Sequence, residues 1–287
     1  MLPRLILDAI IDRALQEDLA GGDLTTEACI DEQAQAVGEA VAKDELVVCG
    51  GEVFARCFER VDPGLRAEIL QPDGARVRAG TILWRVSGRA RSLLGAERVA
   101  LNFAQRLAGV ATLSARYVAA VPPGSKTRIT DTRKTTPGLR PLERYAVRTG
   151  GAHNHRDDLG SAVLIKDNHL AAAGGVAAAV RRARERASHS ACVEVEVASL
   201  AELDQALRAG VDTVLLDNMT PRQVAAAVRR VRAWRRGPRP LVEASGGVTL
   251  ERVAELARAG VDAISVGALT HSAPAADISL ELRLERS

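Results

Sequence analysis

The chain has 287 residues, 47% of them hydrophobic and 26% charged, which is enough apolar material for one large packed domain or two modest ones. A formal net charge of only +3 and an aromatic content of 2% speak against nucleic-acid binding, which draws on a basic field and stacking side chains. Cys29, Cys49, Cys57 and Cys192 form no CxxC and have no histidine at zinc-ligand spacing, and no window reaches the ~18 uncharged apolar residues of a membrane span, so a cytoplasmic protein with reduced thiols and no membrane partner is expected.

Leu5, Ile6, Ala9, Ile10, Ala14 and Leu15 fall on helical spacing and predict a surface helix over 5–19, ended by Gly21-Gly22. Asp8 and Asp12 interrupt its apolar run, which therefore lacks the core of a secretion signal. From Gln35 to Leu94 the runs "VGEAVA", "ELVVC", "LRAEIL" and "GTILWRVSG", broken by "QPDG" and by a helix near Glu52–Val61, predict a small α+β domain. Leu93–Val121 reads as a long apolar helical stretch, with a possible break near Gly109 and with Asn102, Gln105 and Arg106 on one side.

After Pro122-Pro123-Gly124 the character changes, and β-branched runs alternate with Ala/Arg/Leu helices as in βα units. "RAGVDTVLLDNMT" at 208–220 and "RAGVDAISVGALT" at 258–270 repeat at an offset of 50, each reading as a helix end, a glycine turn and a strand. Six strands are predicted, "KTRITDT", "AVLIK", "CVEVEV", "DTVLLD", "LVEAS" and "DAISVG", and they suit an incomplete or irregular barrel better than a full eight-fold one.

Parallel βα barrels gather their chemistry at the carboxyl ends of the strands. Here those ends carry Asp131 with Arg133 and Lys134, then Lys166, Glu196, Asp217, Ser245-Gly246-Gly247 and Gly267. Glu196 and Asp217 suit a hard cation such as Mg²⁺, and the glycine-bearing loops suit a phosphate held by backbone N–H groups. Of 39 basic residues only Lys43, Lys126, Lys134 and Lys166 are lysines, so a retained lysine marks a place that needs a compact ammonium.

The stretch Thr132–Arg156 sets one acid, Glu143, against Arg133, Lys134, Arg140, Arg144, Arg148 and Arg156, with His153 and His155 in addition. Arg140, Arg144 and Arg148 at i, i+4 and i+8 repel unless an anion lies nearby, either a protein carboxylate or substrate. Arg133 and Arg156 can each hold a carboxylate bidentately, and Lys134 can meet a phosphate. His155 is expected at an anion or a ring, and His153 is expected to be structural.

These motifs resemble the quinolinate phosphoribosyltransferase family: "EDLAGGDLTT", "LNFAQRLAGVAT", "DTRKTTPGLRPLERYAVRTGG", "NHR", "LIKDNH", "EVEV", "LLDN", "EASGG" and "VGALTH", in that order over nearly the whole chain. The resemblance implies an α/β fold with an N-terminal α+β open sandwich (1–112, with 272–287 packing back on it) and an irregular, incomplete (β/α) barrel (113–271). It further implies a homodimer or higher oligomer with shared active sites.

By the same resemblance, quinolinate and phosphoribosyl pyrophosphate are converted with Mg²⁺ to nicotinate mononucleotide, pyrophosphate and CO₂ in de novo NAD biosynthesis. Arg133, His155 and Arg156, with Arg106 from the partner, would hold the two substrate carboxylates. Lys134 and Lys166 would lie between substrate and pyrophosphate, Glu196 and Asp217 would serve Mg²⁺ and the ribose hydroxyls, and Ser245, Gly246, Gly247, Gly267 and His271 would hold the 5-phosphate. A molybdenum-transport-associated relative shares "GDLTT" and "TRKT" but is expected to lack the lysine of "LIKDNH". A non-catalytic phosphoribosyl-binding regulator is the remaining alternative, disfavoured by Lys134, Glu196 and Asp217 together.

Overall fold

The computed structural model describes residues 2–284. Two compact units divide the chain. One comprises the residues up to Ala115, Thr135–Gly151 and the residues from Leu269, and the other comprises Arg116–Lys134 and Ala152–Ala268. The sequence division at 112/113 falls inside a single helix.

In the first unit, α1 (Arg4–Leu19) and α2 (Leu24–Cys29) precede β1 (Gln35–Ala42), β2 (Leu46–Val47), α3 (Gly51–Val61), β3 (Arg66–Ile69), β4 (Arg76–Val77), β5 (Ile82–Arg89) and α4 (Ala90–Ala119). Asp23 begins α2 by accepting a hydrogen bond from the Thr26 N–H at 2.9 Å. The buried face of α1 is Leu7, Ile11 and Leu15, at i, i+4 and i+8. This corrects the expected stripe, since Leu5 and Ile6 are exposed. Asp8 and Asp12 lie one turn apart and pair bidentately with Arg56 and Arg60 of α3 at 2.7–2.9 Å, so the charges that interrupt the apolar run dock one helix on the other. Asp73, in the turn "QPDG", accepts the Gly50 and Gly51 N–H groups at the start of α3 and the Tyr145 hydroxyl.

The main sheet of this unit runs β12-β1-β5-β3, all antiparallel, with β12 (Ile278–Leu284) supplied by the end of the chain. Trp84, Phe54 and Phe58 fill its core, with ring centroids 4.8–4.9 Å apart. Helix α4 is continuous through Gly109. That glycine serves close approach rather than a break, because a Cβ there would overlap the Pro274 carbonyl oxygen. The same segment is tied to α4 by Ala276 N–H to the Gln105 carbonyl and by the Gln105 amide to the Ile278 carbonyl.

The second unit holds β6 (Arg128–Thr130), β7 (Val163–Ile165), β8 (Val193–Val197), β9 (Thr213–Asp217), β10 (Leu241–Ser245) and β11 (Ala263–Ser265). In chain order the helices α5 (Arg140–Thr149, in the first unit), α6 (Asp167–Ala173), α7 (Val176–Arg186), α8 (Leu200–Ala209), α9 (Pro221–Ala233), α10 (Leu250–Ala259) and α11 (Ala268–His271) follow α4. All six predicted strands form, and they make one parallel sheet in the order β6-β11-β10-β9-β8-β7, an incomplete α/β barrel.

The 50-residue repeat has a physical basis. Gly210 and Gly260 end α8 and α10 in left-handed conformation, at φ +73° and +88°. The aspartate that follows, Asp212 or Asp262, then ties the coming strand to its neighbour. Each donates its own N–H to the first or second residue of the adjacent strand (Val193 or Val242) and accepts that residue's N–H on its carboxylate at 2.7 or 2.8 Å.

Arg106 sits in the first unit with every guanidinium nitrogen engaged. Nε and Nη2 donate to Glu143 Oε1 (2.9 and 2.6 Å), Nη1 donates to the Ala273 carbonyl, and Nη2 also reaches the Thr270 carbonyl and Thr136 Oγ1. Glu143 is fully buried and accepts further hydrogen bonds from Thr136 N–H and Oγ1. Removing one partner of such a pair leaves a bare buried charge. Arg106→Leu is therefore expected to lose about 3 kcal/mol in urea unfolding, and adding Glu143→Leu should restore part of that loss.

Candidate active site

A cavity of about 570 Å³ opens in the second unit at the carboxyl ends of the parallel strands. Thr132, Arg133 and Lys134 follow β6, His155 and Arg156 come from the next loop, and Lys166 follows β7. Glu196 of β8, Asp217 and Asn218 at the end of β9, and Ser245-Gly246-Gly247 after β10 complete the rim. Most of the residues expected at the strand ends thus face one space. Gly267 does not line it, and His271 and Arg106 belong to the first unit, where Arg106 donates to Glu143. Arg140, Arg144 and Arg148 on α5 also do not line it.

The cationic and acidic sides meet at Lys166, whose Nζ lies 2.8 Å from Glu196 Oε2. Lys166 also begins α6, where its backbone N–H donates to His169 Nδ1 at 3.0 Å, so "KDNH" is a helix start that aims the lysine. Burial and the nearby Arg133 charge both work against the Arg156 cation, a repulsion that a bound dianion would relieve.

Asn218 has φ +51° and donates from Nδ2 to Asp217 Oδ2 at 2.9 Å, while its N–H donates to the Ser245 carbonyl. Gly246, at φ +90°, passes so close to the Asn218 amide that any Cβ would collide with it. Arg252 draws the same loop down by donating to the Gly247 carbonyl at 3.1 Å.

Asp131 is fully buried and is not among the residues that line the mouth. Its two oxygens accept the His155 N–H at 2.7 Å and the Asn154 Nδ2 at 2.6 Å, which fixes the loop carrying His155. His153 continues the sheet beyond β6 by a parallel bridge to Thr130, a structural place.

Beneath His155 lie two glutamates with no counterpart in the expected set, Glu194 of β8 and Glu243 of β10. His155 Nε2 is 3.3 Å from a carboxylate oxygen of each. Both acids are 5% exposed, and Glu194 turns Oε2 to the ring while its Oε1 lacks a hydrogen-bond partner. Burial alone would lower the His155 pKa, but the hydrogen bonds and charges of Glu194 and Glu243 outweigh it and push His155 up to about 10. Burial, together with the Glu243 charge, raises the Glu194 carboxyl. Among the described residues this trio is a group of three that could by proximity hold a metal. With the imidazole protonated, the ring itself supplies the positive charge that the two acids require.

The sequence matches the family model "Quinolinate phosphoribosyl transferase, N-terminal domain" over residues 23–108 and its C-terminal-domain counterpart over 110–281. The chain belongs to the quinolinate phosphoribosyltransferase family. Relatives within that family include the nicotinate-nucleotide pyrophosphorylase (carboxylating) of Mycobacterium leprae, 45% identical over 95% of both chains. The enzyme of that name from Homo sapiens is 40% identical over 98% of this chain and 93% of its own length. Solved structures that superpose include NadC from Streptococcus pyogenes (TM-score 0.93, 39% identity, 100% of this chain and 99% of that one). Nicotinate-nucleotide pyrophosphorylase from Francisella tularensis superposes with a TM-score of 0.91 at 36% identity, covering 99% of this chain and 98% of that one.

The His155 trio has a measurable consequence. The folded-state pKa lies above the ordinary 6.5, so the stability it contributes is fully present below about 6.5 and is lost as pH rises through about 10. The His155 ring carbon resonance should keep its imidazolium position between about pH 6 and 8.5, and Glu243→Gln should bring a titration midpoint into that window.

Proposed function

We infer that this chain transfers the phosphoribosyl group of phosphoribosyl pyrophosphate to quinolinate with decarboxylation, yielding nicotinate mononucleotide, pyrophosphate and CO₂, a step of NAD biosynthesis. The observation that carries this reading is the mouth itself, where cations sufficient for a dicarboxylate (Arg133, His155, Arg156) share a cavity with two lysines, two carboxylates and a glycine loop. The family membership supports the same reaction.

Arg133, Arg156 and the imidazolium of His155 would hold the two carboxylates of pyridine-2,3-dicarboxylate and orient its ring nitrogen. Ser245, Gly246 and Gly247 would take the 5-phosphate through hydroxyl and backbone donors. Glu196 and Asp217, carboxylates on adjacent strands facing one cavity, fit a Mg²⁺ that takes its remaining ligands from phosphate oxygens and water. When bound, Mg²⁺ supplies charge neutralisation for the pyrophosphate.

The ring nitrogen forms a bond to ribose C1 as the C1–O bond to pyrophosphate breaks. Lys134 and Lys166 stabilise the charge that builds on the leaving group. The pyridinium then accepts the electron pair released when the neighbouring carboxylate leaves as CO₂, and a proton takes its place on the ring. No general base is needed to activate a ring nitrogen, which is why the site is rich in fixed charge and has no thiol in its lining. The presence of Lys166 in contact with Glu196 favours this reading over the molybdenum-associated branch.

A homodimer is part of the same proposal. The first unit leaves Leu5 and Leu24 about four-fifths exposed, apolar area that a second copy would cover. Light scattering checks it. The cytoplasm is the compartment that suits this reading, with all four cysteines free and no described helix long and apolar enough to cross a membrane.

Incubation with quinolinate, phosphoribosyl pyrophosphate and Mg²⁺ should release nicotinate mononucleotide and CO₂ in equal amounts. Product from nicotinate but none from quinolinate would overturn the assignment. Lys134→Arg and Lys166→Arg should each lower kcat/KM at least ~10-fold, about 1.4 kcal/mol of transition-state stabilisation, because a planar fork cannot replace a compact ammonium.

A further inference from the structure

Three of the four lysines have an explanation. Lys134 and Lys166 line the mouth, and Lys43 pairs with Glu281 at 2.8 Å. Lys126 does not, and it lies at a second cavity. This one measures about 930 Å³ and runs in the second unit along β6 from Lys126 to Thr130 and past the amino ends of β10 and β11, with a lining that shares no residue with the mouth. Around it stand Lys126, Arg128, Arg232 and Arg258. Among the described residues, the side chains of Lys126, Arg128 and Arg258 make no hydrogen bond or ion pair.

Arg232 is held in place over Gly260, to whose carbonyl it donates at 3.3 Å. A Cβ at residue 260 would strike its guanidinium. One acid, Asp262, faces these four cations, and its carboxylate already accepts the Val242 N–H at 2.8 Å and lies 3.6 Å from Arg239.

Four exposed cations thus share one cavity with a single carboxylate, an excess of positive charge that draws anions to it.

We propose that this basal cavity is a second anion site, which takes a small molecule carrying two or three linked phosphates. The excess of about three positive charges exceeds the roughly −1.5 to −2 of a single phosphate, and the volume is that of a small-molecule site. The site goes beyond the transferase reaction and does not depend on it.

The test titrates inorganic tripolyphosphate, without divalent metal, into the full-length protein by calorimetry. Two binding events are expected, one at each cavity. Lys126→Ala with Arg258→Ala should weaken one of them at least tenfold and leave the other, whereas Lys134→Ala should weaken only the second. Arg181→Ala with Arg208→Ala removes the same charge from α7 and α8 and should change neither.

Inorganic phosphate should bind the basal site at least tenfold more weakly than tripolyphosphate. Melting temperatures report that the variants are folded, and Lys126→Gln alone, expected to weaken the same event, serves if the double variant is not. Unchanged affinity in the basal variants, equal weakening by the control pair, or equal binding of inorganic phosphate would each overturn the proposal. Failure to turn over quinolinate would defeat the transferase reading and leave the basal isotherm untouched.

Discussion

Parallel strands all leave their sheet at one edge, and any charge placed just past a strand end is delivered to the same rim. That constraint concentrates Arg133, Lys134, Lys166, Glu196 and Asp217 within one cavity, and it sets the problem the rest of the second unit solves. Like charges brought together must be countered at short range. Lys166 is met by Glu196 at 2.8 Å, and His155 is met from below by Glu194 and Glu243 at 3.3 Å. Asp131, buried and spending both oxygens on the backbone of residue 155 and the side chain of residue 154, keeps that histidine over its acids.

Much of this rim was legible in the sequence because strand ends are punctuated. An apolar run followed by a charge or a glycine pair marks where the chain meets the mouth, and all six predicted strands formed. Glu194 and Glu243 were not legible. Each sits inside an apolar run, where alternation predicts only a side chain on one face, and nothing local shows that the two converge with His155 from three separate segments. Asn218 is a similar case, since its role depends on Gly246 from the neighbouring strand leaving room for its amide.

Elsewhere the pattern misled for physical reasons. Helix α1 carries apolar residues on more than one side, and only the positions of the tertiary partners show that Leu7, Ile11 and Leu15 face inward. Gly109 in α4 looked like a breaking point, but a glycine within a helix can equally mark where another chain segment presses against the backbone, as Pro274 does here. Arg106 was assigned by the resemblance to a partner's substrate, and its place within its own chain was not visible in the sequence. Glu143, reached only through folding, turns it into the counter-charge of a buried acid.

The place of β12 has a consequence for synthesis. β1 pairs along one side with β5, made shortly after it, and along the other with β12, about 240 residues later. At translation speeds of 5–20 residues per second, roughly 10–50 s pass before that second partner leaves the ribosome. Throughout that interval a strand destined for the middle of its sheet presents a bare edge, open to pairing with any passing polypeptide. A nascent chain of this protein thus keeps one edge of β1 open to chaperones or to mispairing until β12 emerges.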